Sequence, residues 1–175
     1  MEIEGQLRGG FVVIATSEPD WDAVYAKELP RVYNFFRYRC GHEALAEDLT
    51  ANTFEKAWRA RHRYRRDLAG FSTWLLSIAR NVAIDHFRSD RSTSSLEDVA
   101  EPIADGTPED QTAFVSDLSR LVALIEELPE RDRELLALKY GAEATNRTIA
   151  RLTGITESNV GTILHRAVER LRERW

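Results

Sequence analysis

The chain has 175 residues, 43% of them hydrophobic, which is enough to bury a core in one medium domain or two small ones. No apolar run approaches 18 residues, and FVVIA at 11–15 follows Glu2 and Glu4 rather than bases, so neither a membrane span nor a signal-peptide core is expected and the cytoplasm is the default compartment. The lone Cys40 excludes an internal disulfide framework and is expected to be a small buried residue, while a net charge of −5 argues on its face against a polyanionic partner.

Along the chain, residues 1–19 read as a tail. The first helix is predicted over about Asp20–Arg39, with Trp21, Val24, Tyr25, Leu29, Val32 and Phe36 on one stripe and a kink at Pro30. The second, about Glu43–Ala60, has a core face of Leu45, Leu49 and Ala57, yet Phe54 and Trp58 project with Glu47, Asp48, Ala51 and Glu55 toward another side. Two demanding faces on one helix mean either that both aromatics fill the core or that a partner covers them.

The loop RHRYRRDLAG (61–70) follows, with Arg61, Arg63, Tyr64, Arg65 and Arg66 suited to phosphate contact and base stacking. The same composition also fits a solvated loop without a ligand. A third helix after Ser72 buries Phe71, Trp74, Leu75, Ile78 and Val82 and lines up Ser77, Asn81 and Arg88 along one flank; Asp85, beside the apolar stripe, is expected to pair with an arginine.

Charge is segregated along the chain. Residues 59–91 carry eight arginines against three aspartates, a net of +5; residues 96–130 carry ten acids against Arg120, a net of −9; residues 131–175 return to +3. A polyanion meets the local field, screened within roughly 10 Å, and not the sum over the chain. The acidic stretch overlaps RSTSSLEDVAEPIADGTPEDQT (91–112), whose turn formers and weak periodicity read as a flexible acidic linker. The expected division is a tail (1–19), a helical domain (20–93), a linker (94–115) and a second helical domain (116–175), each domain folding alone with little crossing between them.

In the second domain Leu118, Leu121, Val122, Ile125 and Leu128 share a helical face, and Pro129 opens the next helix through Leu135, Leu136 and Leu138. Thr145 caps a helix carrying Ile149, Ala150 and Leu152, Gly154 ends it, and Thr156 caps the last one. In that last helix Val160, Ile163, Leu164, Ala167, Val168 and Leu171 form a stripe opposite Ser158, Thr162, His165 and Arg166. Helix, glycine turn, helix is a helix-turn-helix pattern. It would set Ser158, Asn159, Thr162 and His165 against base edges and Arg166 against phosphate, although a solvated face gives the same pattern. The fold class is all-α, with two small helical domains.

AEDLTANTFEKAWRA (46–60), FSTWLLSIARNVAIDHFR (71–88) and the stretch from Glu127 to Glu173 resemble bacterial sigma factors of the extracytoplasmic-function (ECF) group of the sigma-70 family. The resemblance covers residues 20–91 and 116–175. It implies a transcription-initiation subunit with no catalytic residues, no cofactor and no metal, which binds core RNA polymerase through its clamp helices and flap, recognises promoter DNA and helps melt the minus-ten region. An anti-sigma factor is a further implied partner. By position, the resemblance sets Glu47, Asp48, Ala51, Asn52, Glu55 and Trp58 against polymerase. It assigns Arg61, Arg63, Tyr64, Arg65, Arg66, Ser77, Arg80, Asn81 and Arg88 to the minus-ten element, and Thr156, Ser158, Asn159, Thr162, His165 and Arg166 to the minus-thirty-five element. The linker would thread toward the RNA exit path. The sequence departs from the family's usual pattern at Ala51 and Asn52, where glutamine and an acid are common, and at Gly161 and Ile163, where lysine or arginine stand.

Two other readings compete. A stand-alone helix-turn-helix regulator explains the second domain and leaves the aromatic and basic block of the first without a task. A metal hydrolase using His86 and Asp90 has little support, since His42, His62, His86 and His165 show no ligand spacing.

Overall fold

The computed structural model describes residues 20–93 and 120–175; the expected tail and linker lie outside the described residues. Every element among them is helical. In order they are α1 (Trp21–Cys40), α2 (Glu43–Arg59), a 3-10 turn (Arg61–Arg63), α3 (Phe71–Thr93), α4 (120–126) and α5 (Glu130–Leu136). A π turn (Ala137–Gly141) continues α5, and α6 (Asn146–Thr153) and α7 (Glu157–Arg174) follow.

Local chemistry sets the boundaries. The Asp20 carboxylate accepts hydrogen bonds from the Asp22 and Ala23 amides, and α1 ends where Gly41 turns left-handed at φ 70°. The helix runs unbroken through Pro30, where a kink was expected; Pro30 and Ala26, whose carbonyl the proline cannot bond, both lie on the exposed side. Thr145 caps α6 through the Thr148 amide, Gly154 (φ 75°) ends it, and Thr156 caps α7 through the Asn159 amide.

In the first half, Val32, Phe35 and Phe36 of α1 are fully buried with Ala46, Leu49 and Ala57 of α2 and with Leu75, Leu76, Ala79, Val82 and Ala83 of α3. Phe54 belongs to this core, its ring 4.7 Å from that of Tyr25, whereas Tyr25 itself is exposed. In the second half, Leu135, Leu136, Leu138, Ile149, Val160, Leu164 and Ala167 are buried.

These are not two separate cores. The buried residues of both halves form one continuous cluster, in which α1 packs on the π turn and α5, and α3 packs on α6. Little was expected to cross. The reason lies in α1, where Phe35 adds a second apolar direction beside the predicted stripe, so that the helix is sandwiched between α2 and the π turn. Polar groups cross as well. Arg31 Nε donates to the Ala142 carbonyl (2.9 Å), Arg39 Nη2 to Glu130 Oε1 (2.9 Å), and Arg80 Nε lies 2.8 Å from Glu134 Oε1. Arg31 also pairs at 3.1 Å with Glu28, a buried carboxylate that accepts a second bond from the Ser72 hydroxyl. The buried Glu28 and Arg39 thus each face an opposite charge.

Truncating the core should cost more than removing a cap. Phe36→Ala should lose about 3–5 kcal/mol of unfolding free energy by creating a cavity, and Thr156→Ala about 0.5–2 kcal/mol by orphaning an amide. Urea-unfolding midpoints should rank them in that order.

Candidate functional site

The two faces of α2 differ sharply. Ala46, Leu49, Thr50, Thr53, Phe54 and Ala57 are buried, with the Thr50 and Thr53 hydroxyls donating to the Ala46 and Leu49 carbonyls at 2.6 and 2.8 Å. Glu47, Asp48, Ala51, Asn52 and Glu55 are exposed together on the opposite side. Glu55 pairs with Arg59, whereas Glu47 and Asp48 make no ion pair among the described residues. The result is an acidic, solvated strip on a rigid helix. Trp58, at its C-terminal end, is half-exposed, so of the two aromatics only Phe54 belongs to the core.

Trp58 opens an aromatic cluster where the ends of three helices meet. Its ring lies edge-on to Trp21 (5.2 Å between centroids), Trp21 to Phe71 (5.6 Å), and Phe71 touches Trp74 and Tyr64 (5.3 and 5.2 Å). The Arg61 guanidinium sits over Trp58 at 4.3 Å and bonds the Trp58 carbonyl. Tyr64 is half-buried, packed edge-on to Phe71 and tilted against Trp74. Aromatic surface at the start of α3 draws it in.

The arginines of the loop divide by their partners. Arg65 grips Asp67 through two bonds of 3.0 and 2.8 Å, which holds the Asp67 carboxyl below its usual range and the guanidinium above its own. Arg63 and Arg66 are exposed and make no ion pair among the described residues. On α3, Asn81 is exposed and Ser77 donates to the Trp74 carbonyl at 2.6 Å. Arg88 pairs with Asp85 at 3.3 Å. Asp85 does have its arginine, but both groups sit in solvent instead of beside the core. Arg80 is held by Glu134 from the other half of the molecule.

On α7, Ser158, Asn159, Thr162, His165 and Arg166 are exposed on one face, with Val160, Leu164 and Ala167 buried behind them. The Thr162 hydroxyl donates to the Ser158 carbonyl at 3.1 Å, leaving its lone pairs and methyl outward, and Arg166 has no ion pair among the described residues. Thr156 is a cap first, its hydroxyl engaged by the Asn159 amide at 3.2 Å. Ile163 is half-buried against the core, so an apolar residue there adds packing; a side chain at Gly161 would meet only Asn146 at 3.7 Å. Cys40 is half-buried, its thiol donating to the Phe36 carbonyl, and burial pushes its pKa up. Among the described residues no three His, Cys, Asp or Glu side chains group closely enough to hold a metal ion.

A family model for sigma-70 region 2 matches residues 24–93, and one for sigma-70 region 4 matches residues 118–171. The chain belongs to the sigma-70 family. It is 32% identical over 156 residues to the RNA polymerase sigma factor CarQ of Myxococcus xanthus, with 87% of each chain covered. It is 31% identical over 153 residues to the ECF RNA polymerase sigma factor BldN of Streptomyces coelicolor, 57% of whose length it spans. Against the ECF RNA polymerase sigma factor SigM of Bacillus subtilis it is 29% identical, with 86% of this chain and 92% of the relative covered. These likenesses place the sigma factor in the ECF group. Its fold is similar to that of the sigma factor RpoE of Bartonella quintana, solved with the anti-sigma factor NepR, at a TM-score of 0.68 and 22% identity over 88% of this chain and 95% of that one. CnrH, solved with the cytosolic domain of CnrY, gives a TM-score of 0.60 at 20% identity over 87% and 83%. A stand-alone helix-turn-helix regulator would leave the region 2 match without a role.

On the expectation that α7 reads the minus-thirty-five element, its exposed face should yield two kinds of variant. Thr162→Ala should change preference at one base of the minus-thirty-five element, by roughly 1–3 kcal/mol of discrimination. Arg166→Ala should weaken every sequence alike and flatten the salt dependence, because a phosphate contact releases counterions without identifying a base. Selection from a promoter library, repeated at two salt concentrations, separates them.

Proposed function

We propose that this sigma factor docks on core RNA polymerase through the acidic strip of α2, reads the minus-thirty-five element with α7 and engages the minus-ten element with the 61–70 loop and α3. The observation that carries the reading is the presence, on one chain and in this order, of region 2 with an unneutralised Glu47–Asp48 strip and region 4 with an unpaired polar face on its last helix. The protein supplies no reacting group and needs no cofactor: recognition and strand opening are binding work, and the chemistry belongs to the polymerase. It would act in the cytoplasm, in keeping with the finding that no described helix is long and apolar enough to cross a membrane. An anti-sigma factor is a natural counterpart, given that both structural relatives were solved with one or with its partner's cytosolic domain.

Within the minus-ten set, Arg63, Arg66 and Asn81 are the groups most ready for DNA, since they are exposed and not already paired. Arg61, Arg65 and Arg88 must first exchange a local partner, and Tyr64 contributes by shaping the loop. A test of melting should therefore use Arg63 and Arg66, because alanine at Tyr64 would open the aromatic cluster.

Asp48→Arg should reduce co-purification with core polymerase several-fold while leaving the unfolding midpoint unchanged, since Asp48 is exposed and the buried side of α2 is untouched. Equal recovery with core would remove α2 from the contact. The double variant Arg63→Ala with Arg66→Ala should lose more transcription from duplex promoter than from a template already mismatched at the minus-ten element, where the few kcal/mol of unstacking has been met in advance. Equal losses on both templates would assign the loop to affinity alone.

A further inference from the structure

We propose that a cavity at the C-terminal end of α1 is a binding site for a small amphipathic monocarboxylate, an acid with a short aliphatic body, its head facing the arginines of α1 and α5 and its body lying on α4. The site stands apart from the polymerase and DNA assignments above: no residue of the α2 strip or of the exposed α7 face, apart from none of its own, is needed to build it.

The cavity follows from the way α1 ends. Gly41 turns the chain left-handed at φ 70° and carries no Cβ, so α4 lies close over the turn: a Cβ there would sit 2.9 Å from Val122 Cγ1 and 3.0 Å from Glu126 Oε1. Around that contact α1, α4 and α5 bound a space of about 190 Å³. Sites for drug-sized ligands occupy about 300–1,000 Å³; at the density of a protein interior, this one holds about ten non-hydrogen atoms. One part of its wall is aliphatic, formed by Leu121, Val122 and Ile125 of α4. Another is cationic, formed by Arg37 and Arg39 of α1 and Arg133 of α5.

Two observations set the charge of the ligand. The Nε atoms of Arg39 and Arg133 are buried and make no hydrogen bond among the described residues, and a buried donor without an acceptor is costly. Charge around the cavity is also unbalanced. Glu130 pairs with Arg39, but Arg37 and Arg133 make no ion pair among the described residues, and the acid in the cavity wall is Glu126. Arg37 donates from Nη1 to the Gly41 carbonyl, a neutral partner. Desolvation lowers the pKa of Arg39 despite the carboxylates of Glu134 and Glu130, and Arg133 lowers it further. An anion in the cavity offsets all of these. A carboxylate suits best, because its two oxygens match the N–H fork of a guanidinium. The aliphatic wall then calls for an apolar body behind that head, which an inorganic anion lacks.

Octanoate, an unbranched acid of about the right size, is the probe, titrated calorimetrically into the full-length chain. It should bind at one saturable site, raise the thermal unfolding midpoint and give intermolecular nuclear Overhauser effects to the methyl groups of Val122 and Ile125. Acetate, which has the head alone, and octylammonium, which joins the same body to the opposite charge, should show no saturable binding. Arg133→Gln should weaken octanoate about 10-fold or more, since a charge-assisted bond is lost. Glu126→Gln, at an exposed position, should tighten it about 2- to 5-fold by removing a like charge from the wall, and it keeps the test decisive if Arg133→Gln fails to fold. No saturable binding of octanoate to the parent, equal binding of octanoate and octylammonium, equal binding of octanoate and acetate, or an octanoate affinity unchanged in either folded variant would overturn the site. None of these results bears on polymerase or promoter binding, which the Asp48 and Arg63–Arg66 variants test separately.

Discussion

The packing of the π turn against α1 is the constraint on which the rest of the arrangement depends. A π turn adds a residue to one helical turn and so rotates everything after it relative to α5. Here the widened turn carries Gly141 to within contact of the α1 backbone at Asn34 and Phe35, a separation only a residue without Cβ allows. Ala142 then offers its carbonyl to Arg31, and Ala144 bonds back to the Leu138 carbonyl before Thr145 starts α6. The position of the helix-turn-helix on the first domain thus follows from a few residues of irregular backbone.

That geometry explains how charge is distributed between function and structure. Cations nearest the seam are matched by acids: Arg31 by Glu28, Arg39 by Glu130, Arg80 by Glu134. Arg63 and Arg66 in the loop and Arg166 on α7 are exposed and make no ion pair among the described residues. Desolvation makes an unmatched guanidinium costly inside and tolerable outside, so burial sorts the arginines into those paired within the fold and those left unpaired at the surface. The net charge of −5 conceals this sorting.

The sequence made legible whatever local chemistry decides. Thr145, Gly154 and Thr156 were readable as caps and stops because each acts on amides or φ angles within four residues. The apolar stripe of α7 was readable because one face alone is buried. What could not be read was which surface covers which. Periodicity marks a face as apolar without naming its partner, so Phe35 gave no sign that α1 is covered on a second side, and Arg80 gave none that its carboxylate lies on α5. The surroundings of Tyr64 were hidden for a related reason: composition shows a loop tyrosine beside arginines, and only the convergence of three helix ends shows the ring packed edge-on and tilted against Phe71 and Trp74. The π turn left no periodic trace, although Gly141 followed by Ala142 supplied the small residues that a close approach demands.

The seam between the two halves owes its definite geometry to its mixed composition. An apolar interface alone, resembling a core cut in half, would hold the halves together permanently. An interface of ion pairs alone would be screened in salt and hold nothing. Combining the extensive packing of the π turn on α1, shape-specific at Gly141, with the charged groups Arg31, Arg39 and Arg80 gives a contact that holds the two halves in one definite arrangement.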